Sequence, residues 1–337
     1  MKDPKLSLLM CVYNAAEFLQ QSIESILNQT FTDFELLIGE DGSTDNSFEI
    51  ISSYKDPRIR IFRNPQNKGI GYTCNKLIRE SKGEYLGRHD SDDISVPTRF
   101  QRQMDFFEKH PEITLCGTNV TVFGDKKQKK FYPLKDAEIR AYMILNDPFC
   151  TSTVIFKKPA TPVYFNESLV VSEDYAFFFE LSKCSKMANL PDHLLNYRWH
   201  PNNITQLRKD ILADSANQVR ATIISQSLDY QLEKNENRVM NLISDRRPIS
   251  LADLKMLEAL FLKLINKNRE IKYYDQRSLQ NLFFHQWLTN CFRMNDSNES
   301  GRRIKICVTS ELFNFTKLLN FISWRNFRSF TNALFQS

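Results

Sequence analysis

Glycine is scarce in this chain, with nine residues among 337, and proline is little commoner at twelve. That composition excludes collagen-like, low-complexity and linker-dominated chains. No window of about 18 apolar residues occurs anywhere, which removes a bilayer-spanning helix from consideration. The apolar run near the start, residues 6–13, is also too short for the core of a secretion signal. The seven cysteines, at 11, 74, 116, 150, 184, 291 and 307, show no CxxC or other metal-binding spacing. They read as reduced, mostly buried thiols, and the expected location is the cytoplasm.

A charge excess of one sign is missing from most of the chain. From Arg302 onward there are six basic residues and one acidic one, while the preceding 301 residues hold 39 of each sign. The net charge of +5 is therefore a property of the tail. A basic face spread over the core is excluded, and nucleic acid is not an expected partner.

What is present is an alternation of strand and helix signals. Residues 5–14 (KLSLLMCVYN) form a continuous apolar run suited to a strand buried on both faces. Apolar residues at 19, 23, 26 and 27 then predict a helix over 15–29. A second buried strand starts at Phe34 and ends in the turn Asp41-Gly42-Ser43-Thr44-Asp45, and residues 46–54 read as a helix. A strand over 58–64, a helix over 69–83 and a strand over 84–90 complete the pattern. Three strand-helix repeats with short connections predict a parallel α/β sheet, whose ligands bind beyond the carboxyl ends of its strands. Polar clusters occupy three of those ends: Tyr13-Asn14, residues 40–43 and residues 89–93. Further on, the patterns predict a helix over 97–109, strands over 112–124 and 151–158, and a helix over 173–184. After about residue 205 long helical patterns dominate, including 250–268, where Ser250 and Asp253 make a capping-box-like start. The expected organisation is a domain over 1–205 and a helical appendage over 206–337.

The cluster His89-Asp90-Ser91-Asp92-Asp93 sets three carboxylates within four residues. Oxygen ligands on a compact loop suit a hard divalent cation, Mg2+ or Mn2+, completed by phosphate oxygens and water. The alternative is an acidic surface turn capping the helix that follows Pro97. Glu173-Asp174 opens a helix, where the dipole favours acids in any case. Asp41 also has an ordinary role open to it, as a turn residue before a helix.

Five elements in order carry a resemblance: Tyr13-Asn14, the turn at 41–45, Asn67-Lys68-Gly69, Asp90-x-Asp92, and Glu173-Asp174 followed by Tyr197-Arg198-Trp199-His200. Over residues 5–205 the chain resembles the family 2 glycosyltransferases of the GT-A fold, a Rossmann-like, mostly parallel sheet flanked by helices. The resemblance implies a nucleotide-sugar site. Val12, Tyr13 and Asn14 would line the base, Asp41 would bond uracil or ribose, and Asn67 and Lys68 would close over the base. Asp90 would contact ribose, Asp92 and His200 would hold Mn2+ or Mg2+, and Arg198 would reach the diphosphate. Asp174 would be the general base of an inverting transfer, with Glu173 orienting it or touching the acceptor. The donor expected is a UDP-sugar, and the acceptor a saccharide or lipid-linked saccharide of a surface polysaccharide or lipopolysaccharide. Arg88 and His89 depart from the family pattern, in which apolar residues are usual before Asp-x-Asp. Two rivals remain at this point. A sugar-nucleotide nucleotidyltransferase would want a Gly/Arg/Lys-rich loop after the first strand, where this chain has Cys11-Val12-Tyr13-Asn14. A non-catalytic assembly subunit would be expected to lack Asp92 or Asp174.

Residues 311–337 mix Phe, Trp and Leu with Lys317, Arg325 and Arg328. On a helix the basic and apolar groups would face apart, which suits the inner surface of an anionic membrane. Docking on the core or on a second subunit is the alternative.

Overall fold

The computed structural model describes residues 3–244 and 249–292. These residues divide into two compact units, one holding 3–139 together with 147–215, the other holding 140–146 and the described residues from 216 to 292.

The first unit begins with β1 (Leu6–Val12), α1 (Ala16–Leu27), β2 (Phe34–Glu40), α2 (Ser47–Ser53), β3 (Ile59–Arg63), α3 (Ile70–Glu80) and β4 (Tyr85–Arg88). These are the expected strand-helix repeats. It continues with β5 (Ile94–Ser95), α4 (Arg99–Lys109), β6 (Leu115–Gly124), β7 (Gln128–Lys130) and the start of α5 (Asp136–Tyr142), whose last three residues count with the second unit. Then come a 3-10 turn at Thr151–Thr153, β8 (Ile155–Lys157), α6 (Glu173–Ser182), β9 (Met187–Trp199), α7 (Ile204–Leu207) and α8 (Lys209–Leu228). One nine-stranded sheet runs β3-β2-β1-β4-β8-β6-β9-β5, with β7 on β6.

The sheet is mixed, with parallel pairing along its long strands and antiparallel pairing through its short ones. β1 pairs in parallel with β2 and β4, β2 with β3, and β6 with β9. β8, β7 and β5 join antiparallel. These three strands are two or three residues long, too short to show a period. β9 is long, at 13 residues, but Pro191 and Asp192 break its apolar pattern. β6 shifts register twice in pairing with it, on either side of Asn119.

Central strands fix where the site lies. Every residue of β2 and all but Cys11 of β1 are buried, as continuous apolar runs demand of a two-sided sheet. Leu19, Ile23 and Ile26 of α1 are fully buried against this core, each contributing about 1.5–3 kcal/mol. That packing holds the polar residue between them, Ser22, beneath the β4 terminus, where its Oγ donates to the Asp90 carbonyl. Gly42 turns the chain out of β2 at φ +73°, and a Cβ there would lie 2.6 Å from the Gln66 backbone.

The second unit is helical in its described residues, with part of α8 joined by α9 (Lys234–Ser244), α10 (Leu251–Ile271) and α11 (Gln276–Phe292). Ser250 caps α10 by accepting from the Asp253 backbone N–H. Phe261 and Phe283 stack 4.2 Å apart between α10 and α11. Buried Arg220 donates to the Leu145 carbonyl and to Asn241 Oδ1. No helix among the described residues is long and apolar enough to cross a membrane. The amphipathic pattern at 311–337 lies outside the described residues.

Gly42→Ala should destabilise the fold by about 2–4 kcal/mol, through both backbone strain and collision with Gln66. Gly69→Ala, also at positive φ but with open space around its Cβ, should cost about 1–3 kcal/mol from backbone strain alone. Urea unfolding of the two variants checks the order.

Candidate active site

Two groups of polar side chains collect at the carboxyl ends of the central strands. The first lies beyond β1 and β2. Asn14, at φ 49°, accepts at Oδ1 from the Thr44 backbone N–H at 2.8 Å, and its own N–H donates to Ser43 Oγ at 3.1 Å. Asp41 is buried and acts as a hub. Its Oδ1 accepts from Asn64 Nδ2 at 2.8 Å and from the Lys68 N–H at 3.0 Å, and its Oδ2 accepts from the Gly69 N–H at 2.9 Å. Asn67 Oδ1 also accepts from the Gly69 N–H. One carboxylate thus ties the Asn67-Lys68-Gly69 segment to the end of β2. Tyr13 is 47% exposed and open to stacking. Val12 is different, because its side chain is fully buried in the core. What it presents at the strand end is its carbonyl, which accepts from the Asp41 N–H.

The second group surrounds the acidic loop after β4. Its three carboxylates separate onto different partners. Asp90 Oδ1 accepts from Arg88 Nη2 at 3.0 Å and Oδ2 from Ser152 Oγ at 2.8 Å. Asp92 Oδ2 meets His200 Nε2 at 3.0 Å and accepts from Asn203 Nδ2 at 3.0 Å. Asp93 is fully buried and accepts from the Arg198 backbone N–H at 2.8 Å. Burial, then the charges of Asp92 and Asp90, hold Asp93 well above the usual carboxylate range. Burial and Asp90 also raise Asp92, against the opposing pull of His200. His89 is fully buried, and burial with the nearby Arg99 charge brings it down to about 3. It is therefore neutral, donating from Nδ1 to the Asp90 carbonyl and accepting at Nε2 from Ser95.

β9 carries the partners across. Arg198 donates from Nε to the Asp92 carbonyl at 2.9 Å and from Nη2 to Gln21 Oε1 at 2.7 Å. Its guanidinium sits between the Phe18 and Phe123 rings, 4.4 and 4.6 Å from their centres. This side chain pins the acidic loop to β9. His200 follows, its ring 4.8 Å from that of Phe18.

Glu173 and Asp174 reach the same region from α6, whose N-cap Ser172 has a left-handed backbone, φ 61°. Asp174 Oδ2 accepts from Thr151 Oγ1 at 2.6 Å, and Oδ1 from the Tyr175 N–H at 2.8 Å. Glu173 is buried, 3.5 Å from Arg88 Nη1. Arg88 therefore spans Asp90 and Glu173, while the 3-10 turn offers Ser152 to Asp90 and Thr151 to Asp174. Burial opposes the charge on Arg88, but Asp90 and the other surrounding anions overcome it and hold the guanidinium firmly protonated. The structure thus brings together Asp90, Asp92, His200, Glu173 and Asp174, and gathers Tyr13, Asn14, Asp41, Asn67 and Lys68 at the neighbouring strand ends.

Sequence reasoning missed Asn203, Thr151, Ser152 and Asn64. Three consecutive hydroxyl residues at 151–153 and an Asn three residues after His200 were the available signals, and both are common in loops.

The donor set suits a hard cation. A carboxylate oxygen and an imidazole nitrogen converge at Asp92 and His200, and the buried His200 Nδ1 has no partner. Among the described residues no cluster of three or more His, Cys, Asp or Glu side chains is placed to hold a metal. The protein would therefore supply two ligands, leaving the rest to phosphate oxygens and water.

Comparison with known proteins follows this geometry. The model of the family described as glycosyl transferase family 2 matches residues 7–169. An uncharacterized glycosyltransferase, MJ1057, of Methanocaldococcus jannaschii is 31% identical over 213 residues, covering 59% of this chain and 72% of that protein. The amylovoran biosynthesis glycosyltransferase AmsE of Erwinia amylovora is 28% identical, covering 57% and 75%. Among solved structures, residues 1–349 of S. aureus TarS with UDP-GlcNAc share the fold at a TM-score of 0.59 and 16% identity, covering 86% of this chain and 85% of that one.

Burial first, then the Asp174 charge, lifts Glu173 from 4.5 to about 7, with Arg88 opposing. A carboxyl raised in the folded state weakens folding progressively as pH climbs from 4.5 to 7, because the unfolded chain gives up its proton first. Glu173→Gln removes that penalty. Its unfolding free energy should match the wild type near pH 4.5 and exceed it by up to about 3 kcal/mol at pH 8. A difference that does not change with pH, in parallel denaturation curves, would refute the assignment.

Proposed function

The chain belongs to glycosyl transferase family 2, and on that premise we propose that it transfers a hexose or N-acetylhexosamine from a UDP-sugar with inversion. The acceptor in this reading is a saccharide or lipid-linked saccharide of a cell-surface glycan, and the reaction depends on Mn2+ or Mg2+. The observation carrying the proposal is the pairing of Asp92 with His200 at 3.0 Å, connected through Asp90 and the 151–153 turn to Asp174. Relatives named for polysaccharide synthesis, AmsE and the chondroitin synthases of Pasteurella multocida and Escherichia coli, support the glycan acceptor. Family membership sets the nucleotidyltransferase aside. The non-catalytic reading is disfavoured because Asp92 and Asp174 are both present and held by hydrogen bonds.

Asp92 and His200 would hold the cation, a mixed oxygen and nitrogen set better suited to Mn2+ than to Mg2+. Bound there, it would place positive charge against the departing diphosphate, where charge develops. Asp174 accepts the proton of the attacking hydroxyl as the new bond forms. The Thr151 hydroxyl and the Tyr175 N–H keep its oxygens aimed. Direct displacement inverts the anomeric carbon and needs no covalent intermediate, and its transition state is oxocarbenium-like. Asp41 holds Asn67 and Lys68 in place to close over the base, beside exposed Tyr13. Arg88 places one positive charge between Asp90 and Glu173.

UDP release from a panel of UDP-sugars, with Mn2+ and with EDTA, tests the reading. Slow hydrolysis of one donor should disappear with EDTA and fall at least a hundredfold in Asp92→Ala. Asp174→Asn should still bind UDP in calorimetry while its hydrolysis rate falls roughly a hundredfold or more. If no nucleotide sugar is cleaved with any divalent cation, the proposal fails.

A further inference from the structure

One segment beside the site has no part in the reaction above. Leaving β6 the chain runs Gly124-Asp125-Lys126-Lys127-Gln128-Lys129-Lys130-Phe131, four lysines in five residues beside a single acid. Up to residue 301 the chain balances its charges, so this is a local concentration within a neutral body. All four lysines are exposed, as is Phe131 at 68%. Among the described residues none of the four pairs with a carboxylate. Such bare, like-charged neighbours repel one another, and an anion relieves that repulsion.

The hairpin is fixed to the rim of the site on both sides. β7 pairs with β6 from Val120–Lys130 to Val122–Gln128, and the end of β6 lies against the end of β9, Gly124 opposite Trp199. The Asp125 N–H donates to the Trp199 carbonyl at 3.2 Å. A Cβ on Gly124, at φ +95°, would lie 2.4 Å from that carbonyl, so the close approach requires glycine there. Lys126 rests 4.1 Å over the Trp199 ring, and the next residue is His200. On the other flank the Lys130 charge reaches Asp147 and Cys150, just ahead of Thr151, which holds Asp174. The cationic hairpin therefore borders the region between His200 and the proposed base.

We propose that residues 126–131 form an acceptor subsite for an acidic glycan, one bearing carboxylate or phosphate groups along its chain. The proposal rests on the transferase reading. The acceptor side is crowded with acids: burial and the Asp174 charge hold Asp147 well above the usual carboxylate range and lift Glu173 to about 7, so a further negative charge there is disfavoured. An acidic glycan meets repulsion there unless its charged units are held outside. The hairpin holds them while the terminal hydroxyl reaches Asp174, and Phe131 offers an exposed apolar ring to a sugar face. A lipid surface fits less well: a single exposed aromatic among the lysines gives little to insert, and the rest of the body carries no net positive charge.

Binding of the full chain to a fluorescent oligogalacturonate, a carboxylate-bearing probe, and to a neutral maltooligosaccharide of equal length tests this. The acidic probe should bind at least tenfold tighter, and its binding should weaken as salt rises. Replacing Lys126, Lys127, Lys129 and Lys130 together by Gln should cost roughly tenfold to a hundredfold. Lys127→Gln and Lys129→Gln alone should each cost about twofold to fivefold, which keeps the test valid if the quadruple variant folds poorly. Lys55→Gln with Lys109→Gln, exposed lysines far along the sequence, should leave binding within about twofold. Equal binding of acidic and neutral probes, no effect of the hairpin variants, or equal competition by single-stranded DNA or phosphatidylglycerol vesicles would each overturn the proposal. UDP release by the same preparation separates the two readings. Its absence removes the transferase, whereas intact release without preference for the acidic probe removes the subsite alone.

Discussion

Three carboxylates within four residues repel strongly in a partly buried loop, and the first unit is arranged so that each meets a different partner. Asp90 takes a buried arginine and a serine hydroxyl, Asp92 takes His200 and Asn203, and Asp93 takes a backbone N–H of β9. The contacts of Asp92 with His200 and of Asp93 with the Arg198 N–H bind the loop after β4 to the end of β9, although β8 and β6 lie between the two strands in the sheet. The separation of the carboxylates is thus a structural requirement as well as a chemical arrangement.

Arg88 extends the same logic to α6. Placed where resembling proteins usually carry an apolar residue, it lies buried between Asp90 and Glu173. The 151–153 turn runs in parallel, one hydroxyl to Asp90 and the next to Asp174. The start of α6 is therefore tied to the acidic loop through two independent links, one at Glu173 and one at Asp174. Neutral His89 fills the space below. It satisfies the Asp90 carbonyl and adds no further charge to an already crowded loop.

On the other side of the sheet centre, Asp41 organises rather than exposes its carboxylate. Its oxygens accept from Asn64, Lys68 and Gly69, so the shape of the 67–69 loop depends on one buried side chain. Arg198 likewise acts through position: held by Gln21, the Asp92 carbonyl and two aromatic rings, it fixes the loop that bears Asp92. In both cases a residue expected to touch the donor shapes the loop beside it.

The sequence alone determined the strand-helix repeats of residues 6–88, because continuous apolar runs and 3.6-residue periods are local properties of the chain. It also determined which carboxylates to watch, because acids gathered at strand ends stand out against a neutral body. Tertiary structure decided the rest. β5 and β7 are too short to carry a period, β9 hides its own behind Pro191, and β8 fills only the end of the strand expected over 151–158, whose start is a 3-10 turn, so the antiparallel pairing emerges only from the fold. Arg88 as a bridge, Thr151 and Ser152 as clamps, and Val12 as core all depend on contacts between residues tens of positions apart. A hydroxyl or a valine has the same local signature whatever it touches, and only the folded chain brings its partner within 3 Å or so.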